Sequence, residues 1–399
     1  MTTTGSKRVK TDRSIIADRI NNVEPSGIRK FFGLSSSIEG IISLGVGEPD
    51  FVTPWHIREA AIHSIESGFT MYTANQGTPE LRQALAGHFQ STYGLNYDPE
   101  TQILITVGVS EGLDLALRTI INPGDEVIMP DPCYVAYPAC TALSGGIPVR
   151  VPLLEKNNFH IQAEDIEQKI TQKTKAILIG YPANPTGAVM SKEELVQIAE
   201  LAKQYNLLVI SDEVYSRLVY NGKHTCFASL PGMQEHTILL NGFSKAFAMT
   251  GWRLGYVSAN PDIIEAMTRV HQYTMLCAPI TAQMAALEAL KSEDDAVDKM
   301  VRDYDQRRRF MVKGLRDIGL TCFDPKGAFY TFPSIEVTGM KSEEFAEKLL
   351  FEEKVVVVHG TAFGKHGEGY IRCCYATALP DIEEALNRMS RFIKKHRNK

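Results

Sequence analysis

The chain has 399 residues, 42 Lys and Arg against 47 Asp and Glu, a formal net charge of −5, and an ordinary make-up of 44% hydrophobic and 22% charged residues. That length exceeds one small core and suits two domains, the acidic balance supplies no positive field for a nucleic-acid partner, and no apolar run nears the roughly eighteen residues needed to cross a bilayer. Seven cysteines, odd in number and without Cys-x-x-Cys spacing, argue against a disulfide framework and a zinc site and suit a reducing cytoplasm.

The N-terminal MTTTGSKRVKTDRS is polar and lacks the apolar centre of a secretory signal. It reads as a disordered leader, with an acid-poor transit peptide as the alternative. From about residue 100 to 260, short β-rich runs alternate with amphipathic stretches: QILITVG leads into SEGLDLALRTI, then DEVIMP, KAILIGYP, SKEELVQIAELAKQY, LLVISDEVY, TILLNGF and RLGYVSA follow. One predicted helix opens on Ser191 with Glu194, the Ser-x-x-Glu of a capping box, and its Leu195, Ile198, Ala199 and Ala202 share a face. Apolar strands separated by helices predict a mostly parallel sheet in an α/β layer architecture.

After Pro261 the patterns lengthen into helices. GAFYTFPSI, KVVVVHG and YIRCCYA then read as strands, with helices near 342–352 and 380–395, a smaller α+β domain on which the N-terminal segment is expected to pack. The expected division is 1–50 for that segment, 51–290 for the large domain and 291–399 for the small one. There is no internal repeat and no low-complexity tract.

Ligands of open parallel sheets gather beyond the C-terminal ends of strands. Gly108, Val109 and Ser110 follow ILITV, Asn184 follows AILIGYP, Asp212 follows LLVIS and Lys245 follows TILLNGF, with Arg253 eight positions on in a Thr-Gly-Trp-Arg cluster. A lysine amine, a carboxylate, an amide, an arginine and a helix N-terminus at one rim match the needs of pyridoxal phosphate. Its aldehyde condenses with an amine, its pyridine nitrogen needs an acidic partner and its phosphate needs donors. Each residue has a plainer reading: Lys245 as a surface lysine, Asp212 as a helix N-cap, Asn184-Pro185 as a turn, Tyr72 and Tyr134 as packing, Gly47 as a turn glycine.

NPTG (Asn184 to Gly187), SDEVY (Ser211 to Tyr215), SKAFAMTGWRLGY and YIRCCYAT, in that order, resemble the class I/II aminotransferases, pyridoxal-phosphate enzymes of fold type I. The resemblance runs from about SGIRKF (Ser26 to Phe31) to the C-terminal helix and is greatest toward bacterial and archaeal aromatic, aspartate and N-acetyl-diaminopimelate aminotransferases. It implies a large domain of the seven-stranded, mostly parallel type sandwiched by helices, plus the smaller α+β domain. It also implies roles. Lys245 forms the internal Schiff base and carries the substrate proton, kept neutral by the cationic ring and Arg253. Asp212 protonates the pyridine nitrogen, and Tyr215 and Asn184 bond the ring's phenolic oxygen. Arg253, Ser244 and the N–H groups of Val109 and Ser110 hold the phosphate, Tyr134 stacks on the ring, and Arg372 with Gly47 grips the substrate α-carboxylate. Some relatives carry serine three residues before the lysine; Gly242 stands there, so one phosphate donor is missing. Tyr72 matches a tyrosine that reaches the neighbouring subunit's phosphate, which implies a homodimer with a shared site.

GVGEPD is no dinucleotide fingerprint, because position 50 is Asp50. P-loop, His-Glu-x-x-His and Gly-x-Ser-x-Gly motifs are absent, so no metal centre is expected. The expected reaction is ping-pong transamination of an L-amino acid with a 2-oxo acid, 2-oxoglutarate by analogy. Some aspartate-specific relatives carry a lysine where this chain has Ser110, which favours an aromatic donor, whereas SGIRKF and VHQY (Val270 to Tyr273) resemble the aromatic and N-acetyl-diaminopimelate groups alike. A carbon–sulfur β-lyase on the same fold and a non-catalytic pyridoxal-phosphate-binding regulator are the rival readings.

Overall fold

The computed structural model describes residues 15–21, 23, 39–291 and 295–397. The polar leader and the SGIRKF segment lie outside the described residues.

The short apolar runs become strands. β1 (Ile42–Ser43) stands apart from a seven-stranded sheet made of β2 (Ile103–Thr106), β3 (Glu126–Asp131), β4 (Ile147–Pro152), β5 (Thr174–Gly180), β6 (Leu208–Asp212), β7 (Thr237–Gly242) and β8 (Gly255–Ser258). Their spatial order is β2-β8-β7-β6-β5-β3-β4. All neighbours in it are parallel except β8, which runs antiparallel to both β2 and β7. Every residue of β2, β7 and β8 is buried, as strands covered on both faces must be.

Side chains alternate between the two layers with period two. Ile177, Ile179 and Val209 pack on Leu195, Ile198 and Ala202 of the Lys192–Gln204 helix. Ala176, Leu178 and Ile210 face the other way, toward Leu113 and Leu117 of the Gly108–Ile120 helix and Met267 of the Pro261–Thr274 helix. The capping box forms: Ser191 Oγ accepts from the Glu194 N–H at 3.2 Å and the Ser191 N–H donates to Glu194 Oε2 at 2.8 Å.

Beyond residue 294, the Asp295–Asp317, Ser342–Glu353 and Leu379–His396 helices surround β9 (Tyr330–Thr331), β10 (Val355–Val356), β11 (Val358–His359) and β12 (Ile371–Cys374). β12 lies between β11 and β9, antiparallel to both, and β1 pairs in parallel with β10. Two expected strands are shorter than the sequence pattern implied. GAFYTFPSI yields the two-residue β9 and, past Pro333, which has no N–H to give the ladder, a single bridge from Ser334 to Tyr370. KVVVVHG splits at Val357, where the chain leaves β1 and joins β12.

The direction of β8 places the site. The parallel strands bring Gly108, Asn184, Asp212 and Lys245 to one rim by their C-terminal ends. Because β8 runs the opposite way, its N-terminal end, just after Arg253, reaches the same rim.

Candidate active site

A cavity of about 440 Å³ opens at this rim. Of the residues singled out in the sequence, Gly47, Val109, Ser110, Tyr134, Asn184, Asp212, Tyr215, Ser244, Lys245, Arg253 and Arg372 line it. Tyr72 does not; its side chain is 82% exposed on the surface.

Lys245 leaves β7 and points its Nζ at the Gly47 carbonyl, 2.7 Å away, with the Phe329 ring centroid at 5.7 Å. Burial pushes its amine down from 10.5 to about 8; Arg372 and Arg253 push the same way, while Cys374 and Glu48 oppose them. The sequence reading assigned the neutral amine to nearby positive charge, but desolvation is the larger cause. At the end of β6, Asp212 accepts from the Tyr137 hydroxyl at 2.9 Å and from the Val214 N–H at 3.2 Å. Burial lifts its carboxyl from 3.8 to about 6 despite those two donors. Without a cation bonded to it, this buried acid is placed to hold a proton or meet a positive group.

The two arginines are held differently. Arg253 adopts a left-handed backbone (φ 53°, ψ 56°), and its Nη1 donates to the Thr250 carbonyl at 2.8 Å. Its guanidinium lies against Gly108, where an added Cβ would come within 2.7 Å of Nη2. Gly108 itself has φ 75° and opens the helix whose first turn carries Val109 and Ser110. Arg372 is only 2% exposed. Its Nη1 donates to Asn184 Oδ1 at 2.9 Å and its Nη2 to the Gly45 carbonyl at 2.6 Å, while Nε has no partner among the described residues. A buried guanidinium bonded only to neutral oxygens is ready for an anion.

Three neighbours escaped the sequence reading. Tyr137 bonds Asp212, and its ring meets Tyr134 edge-on at 5.7 Å. The Tyr330 hydroxyl lies 2.7 Å from that of Tyr215 and 3.5 Å from the Gly47 carbonyl, and its ring lies 4.4 Å beneath the Arg372 guanidinium. Glu48 is bonded by Thr250 at 3.2 Å and lines the cavity. The signal for Tyr137 was present, a second tyrosine three residues after Tyr134. Cys133 is buried beside the site and its thiol is pushed up to about 12, which suits packing and not reactivity. No helix is long and apolar enough to span a membrane, and no metal-holding cluster of His, Cys, Asp or Glu occurs, among the described residues.

Residues 39–389 match the family model described as aminotransferase class I and II. A Bacillus subtilis relative, named an aminotransferase without a stated donor, is 53% identical over 382 residues, 96% of this chain and 99% of its own. Aromatic-amino-acid aminotransferase 2 of Thermococcus litoralis is 47% identical, over 95% of this chain and 98% of its own. An aspartate aminotransferase of Pyrococcus abyssi is 45% identical with the same coverage. Among solved structures, the aromatic aminotransferase of Pyrococcus horikoshii superposes with a TM-score of 0.88 at 44% identity, covering 92% of this chain and 99% of that one.

Proposed function

The chain belongs to the class I and II aminotransferases, which use pyridoxal phosphate, and from that premise we propose that it moves the amino group of an aromatic L-amino acid to a 2-oxo acid such as 2-oxoglutarate. One observation carries the site assignment: a lysine held at about 8, a buried aspartic acid at about 6 and two anion-ready arginines share one cavity. The donor set fits each end of the cofactor. When bound, pyridoxal phosphate supplies an aldehyde that takes up the amino group and a ring that draws electrons from the substrate Cα.

The chain's own residues do the rest. Lys245 would anchor the aldehyde and hold or move the proton at the substrate Cα; an amine that is about half neutral at pH 8 suits both tasks. Asp212, oriented by Tyr137, would meet the pyridine nitrogen and keep a proton on it. Tyr215 and Asn184 would donate to the phenolic oxygen, and Tyr134 would cover the ring face. Arg253, Ser244 and the Val109 and Ser110 N–H groups would hold the phosphate. Arg372 takes the substrate α-carboxylate with the Gly47 backbone beside it. Tyr72 contributes to the partner subunit's phosphate site in a homodimer. This assignment divides the chain at 1–50, 51–290 and 291–399, and seven unpaired cysteines suit a cytoplasmic location.

The aromatic preference is supported by the cations that line the cavity. Among the described residues they are Lys245, Arg253 and Arg372, each already engaged in this scheme, and position 110 is a serine. A steady-state screen of Phe, Tyr, Asp, Ala and N-acetyl-diaminopimelate as donors tests it, with the aromatic acids expected to lead. Negligible turnover of Phe and Tyr alongside rapid turnover of Asp would overturn the preference. Release of pyruvate and ammonia in place of transamination would indicate lyase chemistry.

A further inference from the structure

Glu111 stands one turn into the helix assigned above to the cofactor's phosphate, and the following inference rests on that assignment. The residue before that helix, Val107, has no side-chain cap of its own. Its N–H donates instead to Glu111 Oε2 at 2.5 Å, while Glu111 Oε1 lies 2.6 Å from Nδ1 of His271 on the Pro261–Thr274 helix. Both side chains are enclosed, His271 fully and Glu111 to 7% exposure. His271 Nε2 has no partner among the described residues. A hydrogen on that nitrogen would be buried unpaired, so the geometry favours a hydrogen on Nδ1, donating to Glu111.

A carboxylate this close to a phosphate site opposes the incoming dianion. Its contribution is therefore geometric. By fixing Val107 it fixes the strand-to-helix turn whose next residues are Gly108, against the Arg253 guanidinium, and Val109 and Ser110, whose N–H groups lie in the first turn, where a helix offers no acceptor of its own. The Thr106 hydroxyl, donating to the Gly108 carbonyl at 2.9 Å, secures the same turn from the strand side. We propose that Glu111 and His271 are a positioning pair for phosphate recognition: His271 holds Glu111, and Glu111 holds the turn that presents the phosphate's donors.

The test compares pyridoxal phosphate with pyridoxal, which lacks the phosphate, as ligands of the full-length apoenzyme. Glu111→Ala and His271→Leu are expected to weaken pyridoxal phosphate roughly tenfold while leaving pyridoxal affinity unchanged, and to shift the 31P resonance of the bound cofactor. Glu111→Gln, which keeps one oxygen for the Val107 N–H but turns its NH2 toward His271, is expected to fall between wild type and Glu111→Ala. Equal weakening of both ligands, or none, would overturn the proposal. Should the alanine variant not fold, His271→Leu carries the comparison. In wild-type holoenzyme, 15N shifts must place the His271 proton on Nδ1; a proton on Nε2 also overturns it. Borohydride reduction of the wild-type holoenzyme labels Lys245 whichever way these results fall, and loss of that label would count against the cofactor assignment instead.

Discussion

The amine of Lys245 and the carboxyl of Asp212 are both moved toward neutrality, and burial is the leading cause for each. The consequences for stability have opposite signs. Between about 8 and the ordinary 10.5 of lysine, the unfolded chain binds the Lys245 proton more than the folded one, so this residue makes stability rise with pH across that window. Between the ordinary 3.8 and about 6, the folded chain binds the Asp212 proton more, so stability falls as pH rises there. Below pH 8 the folded apoenzyme carries an unfavourably placed ammonium. Lys245→Met should therefore make the apoenzyme more stable at pH 7, on the order of 2 kcal/mol, with the gain fading toward pH 10. Urea unfolding at the two pH values measures this, and a variant no more stable than wild type at pH 7 would contradict the burial argument. The same variant should lose transaminase activity altogether. Lys245 itself was legible in the sequence because a cation stood alone after a β run. The cause of its lowered pKa was not, since desolvation depends on what the fold stacks around the amine.

Where elements meet, glycine decides how near the phosphate helix can come to the sheet. Gly242 of β7 and Gly255 of β8 are cross-strand partners, and the helix start lies on them. A Cβ at Gly255 would stand 2.6 Å from the Val109 nitrogen, and one at Gly242 would stand 2.9 Å from the Gly255 Cα and 3.0 Å from Val109 Cγ2. The glycine at 242 therefore has a packing reason, and a serine introduced there to add a phosphate donor would push the helix away. Gly255→Ala is expected to cost roughly 1–3 kcal/mol of stability and to weaken pyridoxal phosphate more than pyridoxal. Thermal unfolding and the two affinities measure this, and an alanine variant as stable as wild type would show that the helix start can shift freely. At this scale, periodicity predicted the sheet strands and the Lys192–Gln204 helix well, because an apolar run and a capping box are local signals. Tyr137 and Tyr330 could not be found that way. Tyr330 reaches Tyr215 and Gly47 across sequence separations of 115 and 283 residues, contacts that exist only once the smaller sheet is docked. Nor does any local pattern announce that the chain changes partner at Val357.

Among the described residues, large apolar side chains stand exposed along two neighbouring segments of the single chain. Ile62, Ile65, Phe69, Met71 and Tyr72 are exposed along one segment, and Tyr273, Met275 and Leu276 along another. Asn75 joins the two by donating to the Leu276 carbonyl at 2.7 Å. Monomers rarely leave so many large apolar side chains together in water, whereas a second copy related by a two-fold axis would cover them. Tyr72 lies within this face, so burying it against a partner would bring its hydroxyl toward that partner and away from its own cavity. Sequence resemblance supplied the dimer expectation, and the exposed face supplies a physical reason for it. Sharing of the site makes a sharper test than mass alone. Tyr72→Ala and Lys245→Ala chains should each be nearly inactive by themselves. Unfolded together and refolded, they should form mixed dimers in which one site has both Lys245 and Tyr72 intact. With random pairing, about a quarter of all sites are then whole, and activity should recover to about that fraction of wild type. Sedimentation should place the mixture at twice the chain mass. Dimers that form without any recovery of activity would leave the apolar face as an interface but remove Tyr72 from the partner's site, whereas a monomer would overturn both.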